Sequence, residues 1–431
     1  MSSTLFWEHK LVRDPLYGFI GLTAREHRLL DTFAVQRLTR IKQLAHTYIV
    51  YPSAVHTRLE HTIGTLNIAS RICDQLAVKK QEKQAVRAAA LLHDVGHGPY
   101  SHLFEEVMRY VNGDKFSHED VTRLIVEHDT DVRRALAPLQ GEVLRVLDGD
   151  SLLSDIISSS LDADKMDYLR RDSYHTGVSY GTFDLERILR TVCKIHEVER
   201  SYLGIEEKGR EALESYRLAR YSMHTQVYEH HARLIADDMF VRAVNTSITD
   251  GQFPREYFDT NDPEIFLSKY LELDDNSIEH YILQNSKGIS RELIEQIRAR
   301  KLLKRAFELP LTREKVPNPI RRERLIRMTK EEVQKAEEEI TSMSGVNRGH
   351  LIVHLQSISI KLYEKFEQSL GRKEKPILIR NRDGSVSSLD EESPISASMT
   401  PIRRLFVFCP ASDINNVRKA AEAVFQVKSI F

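Results

Sequence analysis

The stretch L-L-H-D-V-G-H-G-P-Y-S-H, residues 91–102, decides how this chain folds and what chemistry it can carry. An apolar run that begins at Ala88 ends in the adjacent pair His93-Asp94, and His97 and His102 follow directly. Burying several imidazoles and a carboxylate costs free energy unless a partner compensates them. Neutral imidazole and carboxylate are good ligands for Zn, Fe, Mn and Mg, so the stretch predicts a divalent-metal site at the end of a buried helix.

Two further segments complete the predicted metal site. Upstream, H-T-R-L-E-H ends in His61, and downstream, S-S-S-L-D-A-D-K-M-D-Y contains Asp164. The order His61, His93-Asp94, Asp164 is typical of a metal-dependent phosphohydrolase. Two imidazoles and two carboxylates leave coordination positions open for water, whose pKa the metal lowers. Taken alone, His61 would fit a surface ion pair with Glu60, but the other three ligands favour metal binding.

Helical spacing predicts further polar side chains on common faces. At about 100° per residue, one face combines acids, a phenol, a guanidinium and an imidazole: Asp164, Tyr168, Arg171, Asp172 and His175. A second stripe recurs every four residues: Arg220, His224 and Tyr228. Three cations suit a polyphosphate tail: Arg58, Lys165 and Arg220. The alternative for either stripe is a solvated helix face with surface ion pairs.

The composition narrows the class of protein. The chain has 431 residues with 62 basic and 63 acidic side chains, so a general polyanion-binding surface is not indicated. No apolar run approaches the roughly 20 residues that span a bilayer, and the N-terminus has no signal-peptide core. The three cysteines lack paired spacing and fit free thiols in a reducing compartment. We therefore expect a cytoplasmic protein with no membrane partner.

The pattern predicts a mainly α fold with two parts. Residues 1–305 form a helical core that begins with a short hairpin at D-P-L-Y-G-F-I-G-L and holds the metal site within residues 56–175. Residues 306–431 form a smaller α+β lobe. In this lobe, K-P-I-L-I-R-N-R-D-G-S-V predicts a hairpin, and R-L-F-V-F-C predicts a strand that precedes a helix. The lobe is a candidate for oligomerisation or regulation.

Longer blocks carry a family resemblance. D-P-L-Y-G-F-I, Q-R-L-T-R-I-K-Q-L, Y-P-S-A-V-H-T-R-L-E-H-T-I-G, L-L-H-D-V-G-H-G-P-Y-S-H, D-A-D-K-M-D-Y-L-R-R-D and R-Y-S-M-H-T-Q-V-Y-E-H follow one another within residues 10–240. In these blocks the chain resembles the HD-domain deoxynucleoside triphosphate triphosphohydrolases, including the sterile-alpha-motif/HD-domain dNTPases and their bacterial and archaeal dGTPase-like relatives. We expect no sterile alpha motif domain before the HD core. The resemblance implies hydrolysis of a dNTP to deoxynucleoside and triphosphate, with water attacking the α-phosphorus.

The resemblance also implies a role for each matching residue. A transition metal (Fe, Mn or Zn) would be held by His61, His93, Asp94 and Asp164, and a second Mg or Mn ion would lie by Asp94 and the phosphates. His102 would be the general acid for the 5′-oxygen, and two histidines would contact the phosphates: His97 and His118. The triphosphate would be held by Arg58, Lys165 and Arg220. Sugar and base would be recognised by Tyr168, Asp172, Tyr228, Gln43 and Leu44, with Tyr228 excluding a 2′-hydroxyl.

A regulatory nucleotide site is matched only in part. Asp31 and Gln36 match residues that read an activating guanine between subunits, and Lys10 is placed in the same possible site. The sequence departs from the family at three activator positions: Arg13, Thr39 and Gln226. We therefore expect no requirement for a guanine nucleotide, and a different activator or none. Assembly into a homodimer or homotetramer is expected by analogy alone.

Two other functions remain open at this point. The chain could be another HD phosphohydrolase that acts on a nucleoside monophosphate, a cyclic dinucleotide or a guanosine polyphosphate. It could also be a nucleic-acid-binding regulator that senses nucleotides, a reading motivated by the basic stretch Arg313–Arg327. The match through Asp172 and Tyr228 argues against the first alternative, and the complete metal ligands argue against a purely non-catalytic role.

Overall fold

The computed structural model describes residues 10–113, 116–149, 151–197, 200–358, 376–395, 399 and 402–431. The described chain is mainly helical, which confirms the predicted fold class. Its α-helices, numbered α1 to α20 in chain order, are Ala24–Leu30, Phe33–Gln36, Arg58–Gln75, Lys80–Leu92, His102–Asn112, His118–His128, Thr130–Leu136, Gln140–Asp148, Leu152–Ile157, Ala163–Thr176, Leu185–Thr191, Arg210–Met223, His231–Thr249, Pro263–Tyr270, Asp275–Asn285, Ile289–Arg298, Pro319–Ile326, Lys330–Ser344, Leu389–Glu392 and Ile414–Phe425.

Strands form three small sheets. The strands, β1 to β9 in chain order, are Lys10–Asp14, Gly18–Leu22, Val192–His196, Ser201–Glu206, Lys304–Pro310, Ile352–Ile358, Leu378–Arg380, Val386–Ser388 and Ile402–Cys409. The sheets have the orders β1-β2, β3-β4-β7-β8 and β5-β9-β6. The antiparallel pair β1-β2 confirms the N-terminal hairpin, and the pair β7-β8 confirms the hairpin around the D-G turn.

The stretch that we expected to form a helical core also contains a pair of strands, which the sequence pattern did not predict. Strands β3 and β4 pair in antiparallel register there, and β4 also pairs in parallel with β7, which lies more than 170 residues later in the chain. The local sequence pattern gives no sign of this pairing, because the partner strand is so far away in the chain. Parallel strands in general need long connections between them.

Helices α3, α4 and α10 hold the part of the core that carries the predicted metal site. The second half of α4 is fully buried from Ala88 to Leu92, and α4 and α10 both pack against α3. Helix α10 begins at the N-cap Asp162, whose carboxylate accepts from the amide of Lys165. This cap stops the helix from starting earlier and fixes the depth of its first turn, which contains Asp164.

The described residues group into two compact units. The first contains those within Met1–Met223, Arg255–Ile278 and Tyr363–Ser398, and the second contains those within His224–Pro254, Glu279–Leu362 and Met399–Phe431. The sheet β5-β9-β6 lies in the second unit, where α18 and α20 pack on it through a buried apolar cluster. The predicted division at residues 305/306 stays a prediction, since these units are interleaved along the sequence.

The cysteines and the longer helices bear on two expectations drawn from the composition. The three cysteines, Cys73, Cys193 and Cys409, are free, as predicted, and all three are buried. Among the described residues, no helix combines the length and the apolar character needed to cross a bilayer.

Candidate active site

The structure brings the four predicted metal ligands together. His61 lies in the first turn of α3, His93 and Asp94 follow the last turn of α4, and Asp164 lies in the first turn of α10. His61 Nε2 is 2.9 Å from Asp164 Oδ1 and 3.6 Å from Asp94 Oδ2. His93 Nε2 is 3.3 Å from Asp94 Oδ1 and 3.7 Å from Asp164 Oδ1. Three helix ends therefore converge on one polar point.

The outer nitrogen of His93 shows that this point fits a cation. Its Nδ1 lies 2.8 Å from the carbonyl oxygen of Ala90, which can only accept, so Nδ1 carries a proton. In the neutral ring Nε2 then presents a lone pair, and Nε2 is buried without a hydrogen bond. A lone pair that faces the carboxylates of Asp94 and Asp164 is repelled unless a positive charge lies between them. The donor set of two imidazoles and two carboxylates suits a divalent ion.

His61 is held in the same way by Asp167, a residue that sequence reasoning missed. Asp167 Oδ2 lies 2.8 Å from His61 Nδ1, and Arg171 donates to both oxygens of Asp167. Burial opposes ionisation, but Arg171 and the hydrogen bonds from His61 and Arg171 lower the pKa of Asp167 to about 2. A carboxylate on the outer nitrogen is the usual partner of a metal-binding histidine.

Arg58 lies directly against the predicted ligands. Its Nη1 donates to Asp94 Oδ2, and its Nε donates to Ser101 Oγ at 2.7 Å. Burial raises the pKa of the Asp94 carboxyl. The charge of Arg58, followed by that of His93, nevertheless holds this pKa well below its usual range. Ser101 precedes α5 but makes no side-chain cap there, because its hydroxyl donates to the carbonyl oxygen of Lys42.

The three predicted catalytic histidines form a second cluster. One nitrogen or oxygen from each of its members lies within 4.8 Å of the others: His97, His102, Glu105 and His118. Glu105 Oε1 lies 2.9 Å from His102 Nδ1 and 2.7 Å from His118 Nδ1. The ring of His97 stacks on that of His118 at 3.8 Å between centroids. Burial, followed by Arg58 and His118, holds the pKa of His97 well below its usual value, so this imidazole is neutral.

Glu105 is the second residue that sequence reasoning missed. It follows His102 by three positions on α5, a spacing that places both side chains on one helix face. Its second oxygen accepts from Arg109 Nη2 at 2.5 Å. With its oxygens so occupied, Glu105 fixes the orientation of two imidazoles through their Nδ1 atoms, which leaves both Nε2 atoms for other partners.

A cavity of about 740 Å³ joins the two clusters. Several predicted site residues line it: Gln43, Arg58, His93, Asp94, His102, His118, Asp164, Lys165 and Tyr168. The ammonium of Lys165 lies 2.8 Å from Asp162 Oδ2, and despite the opposing effect of burial, Asp162 raises the pKa of Lys165. Burial raises the pKa of Tyr168 to about 12, so its phenol stays protonated and can donate. The cavity size is within the range of small-molecule sites.

Other predicted substrate residues lie outside the cavity lining. Asp172 is one turn beyond Tyr168 on α10, buried, with His56 Nε2 at 2.8 Å from its Oδ1. Leu44 is 8% exposed and belongs to the core. Arg220 lies in the last turn of α12. Its charge lowers the pKa of Tyr168, against the larger effect of burial.

The expected stripe of Arg220, His224 and Tyr228 on one α-helix is wrong. Helix α12 ends at Met223, and His224–Tyr228 form a π-helical turn, which breaks the repeat of 3.6 residues. Tyr228 belongs to the second compact unit, and its ring lies 5.0 Å from that of His224.

The predicted regulatory residues lie at the surface near the hairpin. Lys10 Nζ is 2.6 Å from His27 Nε2, and His27 Nδ1 is 3.5 Å from Asp31 Oδ2. Gln36 Nε2 donates to the carbonyl oxygen of Leu30. These contacts connect Lys10 and Asp31 through the imidazole of His27.

Comparisons with known proteins agree with this geometry. Residues 58–172 match the family model of the HD domain, and residues 183–430 match that of the HD associated region. An uncharacterized protein of Methanocaldococcus jannaschii is 32% identical over 95% of this chain and 81% of its own length. A Dictyostelium discoideum homolog of deoxynucleoside triphosphate triphosphohydrolase SAMHD1 is 29% identical over 71% of this chain and 62% of its own length. The crystal structure of a hypothetical protein from Aquifex aeolicus has a TM-score of 0.73 at 29% identity, covering 95% of this chain and 99% of that one.

Proposed function

The chain belongs to the HD-domain family with an HD associated region, and from this premise we propose that it hydrolyses deoxynucleoside triphosphates to deoxynucleoside and inorganic triphosphate. Membership implies a divalent metal and a phosphohydrolase. The substrate, the reaction type and the role of each residue are our proposals, supported by the resemblance to deoxynucleoside triphosphate triphosphohydrolases.

One observation carries the proposal. The four proposed metal ligands, the His102–Glu105–His118 cluster and the cations Arg58 and Lys165 lie at or around one cavity. Metal, proton donors and cations are the three requirements of phosphoester hydrolysis at a polyphosphate.

The residues divide the chemistry between them. His61, His93, Asp94 and Asp164 would hold a divalent ion, which would supply activated water and offset phosphate charge. Arg58 and Lys165 hold the phosphates in line for attack at the α-phosphorus. His102 donates a proton from Nε2 to the leaving 5′-oxygen, while Glu105 holds its Nδ1.

Sugar recognition is the finer part of the proposal. Tyr168 and Asp172 bind the 3′-hydroxyl. The exclusion of a 2′-hydroxyl by Tyr228 is carried over from the family resemblance alone. A wall at C2′ would discriminate strongly, because a ribonucleotide would clash or bury a hydroxyl without a partner. Three further predictions belong to the proposal. The native metal is Fe, Mn or Zn, a second Mg or Mn ion binds with the phosphates, and the protein is a homodimer or homotetramer.

The test is an assay of all four dNTPs, singly and mixed, with Mn or Mg, with the products resolved by chromatography. We expect deoxynucleoside and triphosphate in equal amounts, and far slower cleavage of GTP than of dGTP. Release of pyrophosphate or orthophosphate would refute the reaction type. Equal rates with GTP and dGTP would refute the sugar selectivity while leaving the hydrolase intact.

A further inference from the structure

The turn of the N-terminal hairpin is joined to His61 by an unbroken chain of buried polar contacts. Asp14 Oδ2 lies 2.9 Å from Arg171 Nη2, Arg171 binds Asp167 at 2.8 and 2.9 Å, and Asp167 lies 2.8 Å from His61 Nδ1. None of these four side chains is more than 3% exposed. We propose that Asp14 is a positioning residue for the metal site: through Arg171 and Asp167 it fixes the imidazole of His61 and raises metal affinity.

The hairpin holds Asp14 firmly enough for this role. Asp14 ends β1, and its Oδ1 accepts from the backbone amides of Leu16 at 2.8 Å and Tyr17 at 3.0 Å. One carboxylate oxygen is thus used by the turn and the other by Arg171. Because the turn is closed by Gly18 at a φ of +74°, the position of the carboxylate follows from the backbone of the hairpin.

A glycine on α3, the helix that carries His61, lets the side chains of Asp167 and Arg171 lie close against that helix. A Cβ at Gly64 would be 2.0 Å from Asp167 Oδ1 and 2.3 Å from Arg171 Nη2, far inside van der Waals contact. Any larger residue at this position would displace the Asp167–Arg171 pair. Glycine weakens a helix interior, so its place here is explained by the close approach of these two side chains.

The direction of the effect follows from the shared guanidinium. Arg171 lies between Asp14 and Asp167, and Glu60 Oε2 is 3.9 Å from its Nη1. Loss of the charge of Asp14 would leave the guanidinium drawn more strongly to Asp167. Asp167 would then accept the Nδ1 proton of His61 less strongly, which makes Nε2 a poorer ligand. The loss of the second anchor would also free the guanidinium to move, and with it the imidazole. Both effects lower metal affinity.

This inference rests on the divalent metal of the HD domain and not on the identity of the substrate. The experiment measures Mn²⁺ binding to the full chain by equilibrium dialysis, with free Mn²⁺ read by electron paramagnetic resonance. We expect Asp14→Asn to weaken binding about 10-fold, the lower end of the range for a direct outer partner such as Asp167, because Asp14 acts through Arg171. The matched control is Arg13→Ala, because Arg13 lies on the same strand but stacks on Phe19 outside the chain of contacts.

A double-variant cycle separates positioning from general destabilisation. If Asp14 acts through Asp167, Asp14→Asn should cause no further loss in an Asp167→Asn background. Unchanged affinity in Asp14→Asn, an equal loss in Arg13→Ala, or additive losses in the double variant would each overturn the inference. Should Asp14→Asn fail to fold, Arg171→Lys takes its place under the same criteria. A wild type that binds no Mn²⁺ would overturn the metal site itself, whereas one that binds Mn²⁺ without cleaving dNTPs would overturn only the proposed function.

Discussion

His56 Nε2 donates to Asp172 Oδ1 over 2.8 Å, and the two side chains are 0% and 2% exposed. The ring of His56 stacks on that of His175, with centroids 4.2 Å apart. Its backbone is fixed too, since its carbonyl oxygen accepts from the amide of Gln43. Burying an imidazole costs free energy, and Nδ1 of His56 has no hydrogen bond among the described residues. The hydrogen bond from Nε2 to Asp172 is therefore the contact that an apolar ring at this position could not make.

The first prediction concerns the 3′-hydroxyl of the substrate. Asp172→Asn should lower kcat/KM for dGTP by about 10- to 100-fold, the worth of a hydrogen bond to a charged group. The same variant should change kcat/KM for 2′,3′-dideoxy-GTP far less, because that analogue has no 3′-hydroxyl to lose. His56→Phe, which keeps a ring on His175, should shift both substrates in the same sense as Asp172→Asn but by less. Equal losses for the two substrates would refute the assignment.

The second prediction concerns Glu105 as the orienter of two histidines. Glu105→Gln should lower kcat by up to about 100-fold and leave KM close to that of the wild type, because a misdirected general acid is felt mainly in the transition state. Metal content should not change. The matched control is Glu106→Gln, the next residue on α5, whose side chain is exposed. A similar fall in kcat in both variants would speak against orientation by Glu105.

The third prediction concerns acid stability and follows from the same carboxylate. Burial raises the pKa of Glu105, but hydrogen bonds from His102 and His118 depress this pKa far below its usual value. A depressed folded-state pKa stabilises the fold above the unfolded value of about 4.3 and loses that contribution as the pH falls below it. The free energy of unfolding in urea should therefore fall more between pH 7 and pH 4 in the wild type than in Glu105→Gln. An identical fall in both proteins would contradict it.

The sequence was informative where function concentrates polar residues in an apolar pattern. The residues predicted as metal ligands and the three predicted catalytic histidines could be singled out because imidazoles at the end of a buried run have few structural explanations. Asp167 and Glu105 were missed because the role of each carboxylate depends on which histidine it contacts in the folded protein. Asp167 meets His61 only because Gly64 lets α10 approach α3, a contact between residues more than 100 positions apart.

The fold class could be predicted, but some individual elements could not, for a similar physical reason. Helices and hairpins such as β1-β2 and β7-β8 are local, and their turn residues mark them. The parallel pairing of β4 with β7 depends on tertiary context and carries no local signal. The break at His224–Tyr228 is also invisible to a periodicity of 3.6, because a π-helical turn inserts one residue without changing composition.

The fourth prediction concerns the metal. Purified protein should carry a transition metal in near-stoichiometric amount, and Asp94→Ala should lose most of it, because this variant removes a ligand and leaves Arg58 without its carboxylate. Elemental analysis of both proteins measures this directly. Asp131→Asn serves as the control, since Asp131 lies in the first turn of α7, outside the site. Equal metal in wild type and Asp94→Ala would remove Asp94 from the ligand set.

The fifth prediction concerns activation by guanine nucleotides. Thr39 stands where relatives in the resembled family have an arginine, and its hydroxyl is exposed and donates to the carbonyl oxygen of Gln36. A hydroxyl lacks the paired donors with which a guanidinium holds a phosphate, so an activator would lose a charge-assisted contact. Single-dNTP assays should therefore show full activity without GTP, and Thr39→Arg should alter only the response to added GTP. A strict requirement for GTP in the wild type would mean that other residues supply the missing charge.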